Sequence, residues 1–216
     1  MKISDHIKLE GEIEFLDLHG VDAALIDSTA FNELIVFLTK ATAGKKKISL
    51  QAVDLNKLDK AQVNALFSTF SNETITGINL AHCQLHAVSV DLLEILKNTL
   101  HARLGSNLTL DLSGNAFGTN EKIIPFYNTL LCSLIFVCQS LDLSDTHLEV
   151  VSQSHLVAAL MEAAHNDELT YLGLAKNNLS SFSSDQITTA LDALAGLERL
   201  TLDISDTGYE RLAPRA

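Results

Sequence analysis

The chain is written in short alternating runs. In LDLHGV, ISLQAV, INLAHC, LDLSGN, LDLSDT, LGLAKN and LTLDIS, two apolar residues flank a polar or small one, and an apolar period of two predicts a strand with one buried face. Taking the second apolar residue of each run as its anchor gives Leu18, Leu50, Leu80, Leu112, Leu143, Leu174 and Leu202, separated by 32, 30, 32, 31, 31 and 28 positions. A spacing this regular predicts stacked copies of one supersecondary unit, because a single globular core leaves its element lengths free.

Between the strands the period changes to that of a helix. After Asp59, the stretch AQVNALFSTF sets Val63, Leu66, Phe67 and Phe70 at helical spacing, and Asp59 with Gln62 makes a capping-box pattern. Ser183 with Gln186 repeats it before ITTALDALA, which Gly196 ends. Ser89 precedes VDLLEILKNTL, where Val90, Leu93, Leu96, Lys97 and Leu100 mark the buried stripe and its edges. Strands joined through helical crossovers run parallel. The expected fold is therefore α/β: a solenoid of about seven strand–helix units, with a parallel sheet on the concave face and helices on the convex face. One domain covers 1–216, with a lead-in at 1–12, repeats at 13–207 and a tail at 208–216. Repeat arrays need polar caps. Either Tyr209 and Leu212 fold back over the last unit, or the chain is a fragment, or its end packs against another molecule.

Three residues after the anchors come Val21, Val53, Cys83, Asn115, Thr146, Asn177 and Ser205. Here a small polar side chain can bond the backbone where the chain leaves the strand, and Val or Cys can fill the same volume without bonding. An apolar residue returns two positions later at Ala23, Leu55, Leu85, Phe117, Leu148 and Leu179. These positions resemble the leucine-rich-repeat pattern LxxLxLxx(N/C)xL. Leu169-Leu172-Leu174-Asn177-Leu179 matches it in full, and Ile75-Ile78-Leu80-Cys83-Leu85 matches its cysteine variant. Unit length and helices are similar to the ribonuclease-inhibitor-like class, with slightly longer units. The resemblance covers residues 13–207 and implies a horseshoe that binds, and inhibits or masks, a partner protein through its concave face. Similar arrays without signal peptides occur among effectors of intracellular bacterial pathogens, so the resemblance extends to a bacterial effector or effector regulator. Two other readings stand beside it. One is an adaptor or substrate-recognition subunit, as in a ubiquitin ligase, docking through the convex side; the other is an enzyme of unrecognised type.

Composition narrows the partner. Hydrophobic residues make up 47% and charged residues 19%, with two prolines, which excludes a mainly disordered chain. A net charge of −12 disfavours nucleic acid, whose phosphates require clustered Lys and Arg; Lys45-Lys46-Lys47 beside Gly44 reads as a solvated helix-to-strand turn. The expected partner is a protein with a basic or mixed-charge surface. Three cysteines without disulfide-framework spacing point to a reducing, cytoplasmic compartment. The N-terminus MKISDHIKLEGEIEF lacks the apolar stretch of a Sec signal, so secretion into a host cytosol would use another route. The run Leu130–Cys138 is too short to cross a membrane and is assigned to the core.

The outward residues of the strands supply the candidate site. Beside the anchors run Asp17, Ser49, Asn79, Asp111, Asp142, Gly173, Thr201 and His19, Gln51, Ala81, Ser113, Ser144, Ala175, Asp203. A third column reads Phe15, Lys47, Gly77, Thr109, Ser140, Tyr171, Arg199. The partner-binding set drawn from this face is Phe15, Asp17, His19, Asn79, Asp111, Ser113, Asp142, Ser144, Asp145, Tyr171, Arg199 and Asp203, centred on Asp111, Asp142 and Asp145. Neighbouring strands lie about 4.8 Å apart, so Asp111 and Asp142 face each other as like charges: a solvated acidic face, or a seat for a cationic partner. Tyr171 is an interface anchor or a cover for its own strand. Acid–base catalysis or a divalent cation at this pair needs a walled pocket and a nucleophile–base arrangement that the sequence does not supply, and the chain is read as a non-enzyme without cofactor or metal. His82, Cys83 and His86 are kept apart by register. Cys132 and Cys138 read as buried hydrophobes.

Overall fold

In a computed structural model the seven alternating runs and one strand from the lead-in pair into one sheet of eight strands, and the helical stretches become six helices among the described residues, which are 1–40, 44–103, 107–182 and 184–209. The strands are β1 (Ile7–Glu10), β2 (Ile13–Asp17), β3 (Lys45–Ser49), β4 (Ile75–Asn79), β5 (Leu108–Asp111), β6 (Cys138–Asp142), β7 (Tyr171–Gly173) and β8 (Thr201–Asp203). They lie side by side in chain order. β1 turns back antiparallel onto β2, and every later pair is parallel. The helices are α1 (Ser28–Thr39), α2 (Lys60–Thr69), α3 (Val90–His101), α4 (Ile124–Val137), α5 (Gln153–His165) and α6 (Ser184–Ala195), each packed on the next. Inward strand side chains such as Leu16, Ile48, Ile78, Leu110, Leu141 and Leu172 join the helical stripes in one core.

Local chemistry starts and stops these helices. At α2 the Asp59 carboxylate accepts from Gln62 N at 2.8 Å, and the Gln62 side chain accepts from Asp59 N at 3.0 Å, completing the capping box. α3 begins after Ser89 without a side-chain cap; its buried stripe gains Leu92, while Lys97 stays half-buried beside Glu94 and over the Phe126 ring. Ser183 lies outside the described residues, as does Leu212. α6 ends at Ala195, with Gly196 N donating to Asp192 O. Most of Leu130–Cys138 is core, as the sequence requires, but Phe136 points outward and Cys132 is half-buried.

Helix C-termini leave carbonyls without intrahelical partners, and neighbouring units supply them. Asn72 Nδ2 donates to Leu38 O of α1, and Asn166 Nδ2 donates to Ile135 O of α4. The Arg103 guanidinium reaches Phe70 O, the C-cap of α2, and Ile75 O. Lys46 donates to Phe37 O and Lys40 O at 2.6 Å each, 5.1 Å from the Phe37 ring centroid. This corrects the reading of the lysine run as solvated: Lys46 is fully buried. The alternation that turns Ile48 and Leu50 inward turns Lys46 inward too, where its ammonium meets the negative end of α1; burial pulls its pKa down.

The last repeat is registered two residues later than its sequence pattern implies. Leu172 pairs with Leu202 and Gly173 with Asp203, which makes Ile204, not Leu202, the equivalent of Leu174. The backbone agrees. Two residues after the anchors, Gly20, Ala52, His82, Gly114, Asp145 and Lys176 all adopt a left-handed conformation, and in the last unit Asp206 does so. Three after Ile204, buried Thr207 donates to Ile204 O at 2.7 Å, taking the position assigned to Ser205.

At that position the side chains bond backbone of two units. Asn115 Nδ2 donates to Leu80 O and Leu112 O at 2.8 Å each, and its Oδ1 accepts from Leu85 N at 3.0 Å. Asn177 repeats this with Leu143 O, Leu174 O, Thr146 N and Leu148 N. Cys83 is not a mute volume filler, since its thiol donates to Leu50 O at 2.9 Å.

Candidate functional site

The sheet face turned away from the helices carries the candidate residues, and the register puts Asp17, Ser49, Asn79, Asp111, Asp142, Gly173 and Asp203 in one row. Beyond the strands the parallel ladder continues through alternate N–H groups, as in Leu18 N to Ser49 O and Gly20 N to Gln51 O. The N–H between them needs another acceptor. The row provides it: Oδ1 of Asp17, Asn79, Asp111, Asp142 and Asp203 accepts from the N–H two residues on, at 2.9–3.2 Å. Ser113 and Ser205 hydroxyls add bonds of 2.7 Å to Asp111 and Asp203. These acids therefore close strand ends as well as charge the face.

Their electrostatics differ along the row. Asp17 Oδ2 accepts from Lys8 Nζ at 3.1 Å, and this bond with the His19 N–H holds its pKa below the usual carboxylate value. Asp111 is shifted up, chiefly by burial and further by Asp142 beside it, against the lowering bonds from Ser113. Tyr171 bends along its own strand: a Cβ placed on Gly173 would stand 2.9 Å from the Tyr171 hydroxyl and 2.5 Å from Asp142 Oδ1. Burial and the carboxylates of Asp142, Asp203 and Asp111 push the phenol up to about 12. Of the two roles open to Tyr171, covering its strand is the one its position fits.

Two hollows divide the candidates other than Tyr171 and Arg199. One of about 440 Å³ is lined by Phe15, Asp17, His19, Asn79 and Asp111, together with Lys47, Ser49, Gln51, Gly77 and Thr109. A second of about 260 Å³ is lined by Asp142, Ser144, Asp145, Asp203 and Ser113, with His82, Lys176 and Ser205. Arg199 leaves the set. Thr201 takes its column opposite Tyr171, and the guanidinium instead donates to Ala164 O and Asn166 O at the C-terminal end of α5, 3.5 Å from Asp167. Asp203 moves from the second column to the acidic row while keeping its face, because a slip of two preserves the alternation.

Lys47, Gln51 and His82 also border the hollows, outside the partner-binding set that the strand pattern suggests. Lys47 had a signal: it stands in the column of Phe15, and the Gly77 beside it leaves room for its stem, since a Cβ there would meet Lys47 Cγ at 2.9 Å. Among the described residues no group of three or more His, Cys, Asp or Glu could hold a metal ion, and Cys83 and Cys138 are buried with their thiol pKa values raised by burial. No helix among the described residues is long and apolar enough to cross a membrane. No protein-family model matches the chain, and no curated protein matches its sequence.

Proposed function

We propose that this chain is a leucine-rich-repeat protein of the ribonuclease-inhibitor-like class, and that its open sheet face binds, and thereby masks, a protein with a basic or mixed-charge surface. The observation that carries the reading is the in-register row of Asp17, Asp111, Asp142 and Asp203 across parallel strands, bordering two hollows open to a partner's side chains. Binding without catalysis is the simpler use of such a face. Its polar side chains are spent on strand-end turns and on charge, and complementary charge steers association and selects partners.

The test must remove charge without opening the turns. Asp111→Asn with Asp142→Asn keeps an Oδ1 acceptor for Ser113 N and Ser144 N. A partner captured by the parent chain, identified by mass spectrometry, should bind at least about tenfold more weakly to the double variant, and its affinity for the parent should fall as salt rises. Equal binding to both chains removes the open face from the function.

A further inference from the structure

Among the described residues, no strand pairs with the outer edge at the N-terminal end of the stack. β1 is the outermost strand and all four of its residues are exposed. Of the six large hydrophobic side chains exposed among the described residues, five (Met1, Ile7, Leu9, Leu25 and Val36) belong to the lead-in and first unit. The hydrogen-bond phase decides which backbone groups face out. Leu18 and Gly20 donate to β3-side carbonyls, so even-numbered residues of β2 address β3 and odd-numbered ones address β1. Ile13 and Phe15 pair with Glu10 and Lys8, which therefore turn their backbone groups to β2, while Ile7 and Leu9 turn theirs to the edge. Ile7 N is taken by Ser4 O. Leu9 N–H, Leu9 C=O and Ile7 C=O have no partner among the described residues.

We propose that this edge pairs with a second copy of the chain, antiparallel about a twofold axis at Leu9. A twofold interface must be self-complementary, and the sequence Ile7-Lys8-Leu9-Glu10 is so in that register. Leu9 exchanges both backbone bonds with Leu9 of the second copy, and Lys8 stands opposite the second copy's Glu10, once on each side of the axis. Cross-strand pairs of opposite charge attract, so charges that would shield the edge from an unlike strand favour its own copy. Ile7 and Leu9 of both chains meet on the core side. The two sheets become continuous with their open faces on the same side, giving a two-copy surface of the strand-addition kind. The inference stands apart from the open-face reading, and each can fail without the other.

Sedimentation velocity over a concentration series reads it: the mass rises from 23.5 kDa toward twice that value. Glu10→Lys sets lysine opposite lysine at both pairs and weakens the dimer about tenfold. Adding Lys8→Glu to the same chain restores opposite charges and with them the dimer. Leu9→Cys brings two Cα atoms to about 5.5 Å across the axis, within disulfide reach. In a Cys132→Ser background, needed because Cys132 is half-buried while Cys83 and Cys138 are buried, a mild thiol oxidant then links Leu9→Cys and leaves the Cys132→Ser chain alone unlinked. A mass of 23.5 kDa throughout, with no cross-linking of Leu9→Cys, overturns the proposal; so does a dimer that Glu10→Lys leaves unchanged.

Discussion

The first three units carry Val21, Val53 and Cys83 where the chain leaves the strand, and the last four carry Asn115, Thr146, Asn177 and Thr207. In the first half the position is mainly filled; in the second it is mainly bonded. The difference shows at Leu55, Leu85 and Leu148, whose N–H groups need an acceptor in the following unit. Leu85 and Leu148 find amide oxygens of Asn115 and Asn177 at 3.0 and 2.9 Å. Leu55, followed by the Cys83 unit, reaches only Cys83 O at 3.4 Å. The asparagine therefore acts on the unit before it as much as on its own, and the C-terminal half is tied by side chains where the N-terminal half relies on apolar volume.

The largest effect should come from cutting the bonded half. Asn177→Ala strands two carbonyls and two N–H groups in the core and should cost about 3 kcal/mol or more in urea unfolding, against about 2 kcal/mol for Val53→Ala, which only opens a cavity. Equal costs would erase the contrast. Converting the weak half should help: Cys83→Asn offers an amide to Leu50 O and Leu80 O and an oxygen to Leu55 N, gaining about 1 kcal/mol. A loss would show that the first turns cannot adopt the bonded arrangement.

A smaller contrast lies in the left-handed residues, glycine at Gly20 and Gly114 but Ala52, Lys176 and Asp206 elsewhere. Exposed Ala52→Gly should raise stability by about 0.5–1 kcal/mol, since only glycine takes this conformation without strain. Gly114→Ala should lower it, its Cβ running into the His82 ring.

The smallest expected effects concern pH and have opposite signs along one row. Asp17 has a lowered folded pKa, so its contribution is present above the unfolded value near pH 4 and is lost as pH falls through the folded value. Asp17→Asn should destabilise at neutral pH and converge with the parent in acid. Asp111 has a raised folded pKa, so the folded state holds its proton longer and stability falls as pH rises through that window. Asp111→Asn should match the parent in acid and be the more stable chain at neutral pH. Thermal melts from pH 3 to 7, a range set by ordinary carboxylate values, check both; parallel curves would sink the assignment.

Much of this was legible in the chain because alternation is a local signal. Leu16 with Leu18, and Leu141 with Leu143, declare their face within three residues. The same property hid the last register: LERLTLDIS offers Leu200, Leu202 and Ile204 on one face, and a slip of two leaves that face unchanged. The pairing of Gly173 with Asp203, the left-handed Asp206 and the buried Thr207 distinguish the choices. The same slip moves Arg199 out of the Tyr171 column and puts Thr201 in its place. At Lys46 charge and parity disagree, and parity with Ile48 and Leu50 prevails because α1 offers carbonyl acceptors for the buried ammonium.

The unit, the number of its copies and the sorting of inward from outward residues follow from local pattern, since a period of two and a spacing near 31 repeat along the chain whatever the chain folds against. Tertiary structure decided what those residues do. Asp111 and Asp142 hold the next turn as well as charge the face, Tyr171 lies over Gly173, and Lys46 caps α1 from the following strand. Each depends on distances between residues far apart in the chain or in adjacent units, which stacking sets and composition does not encode.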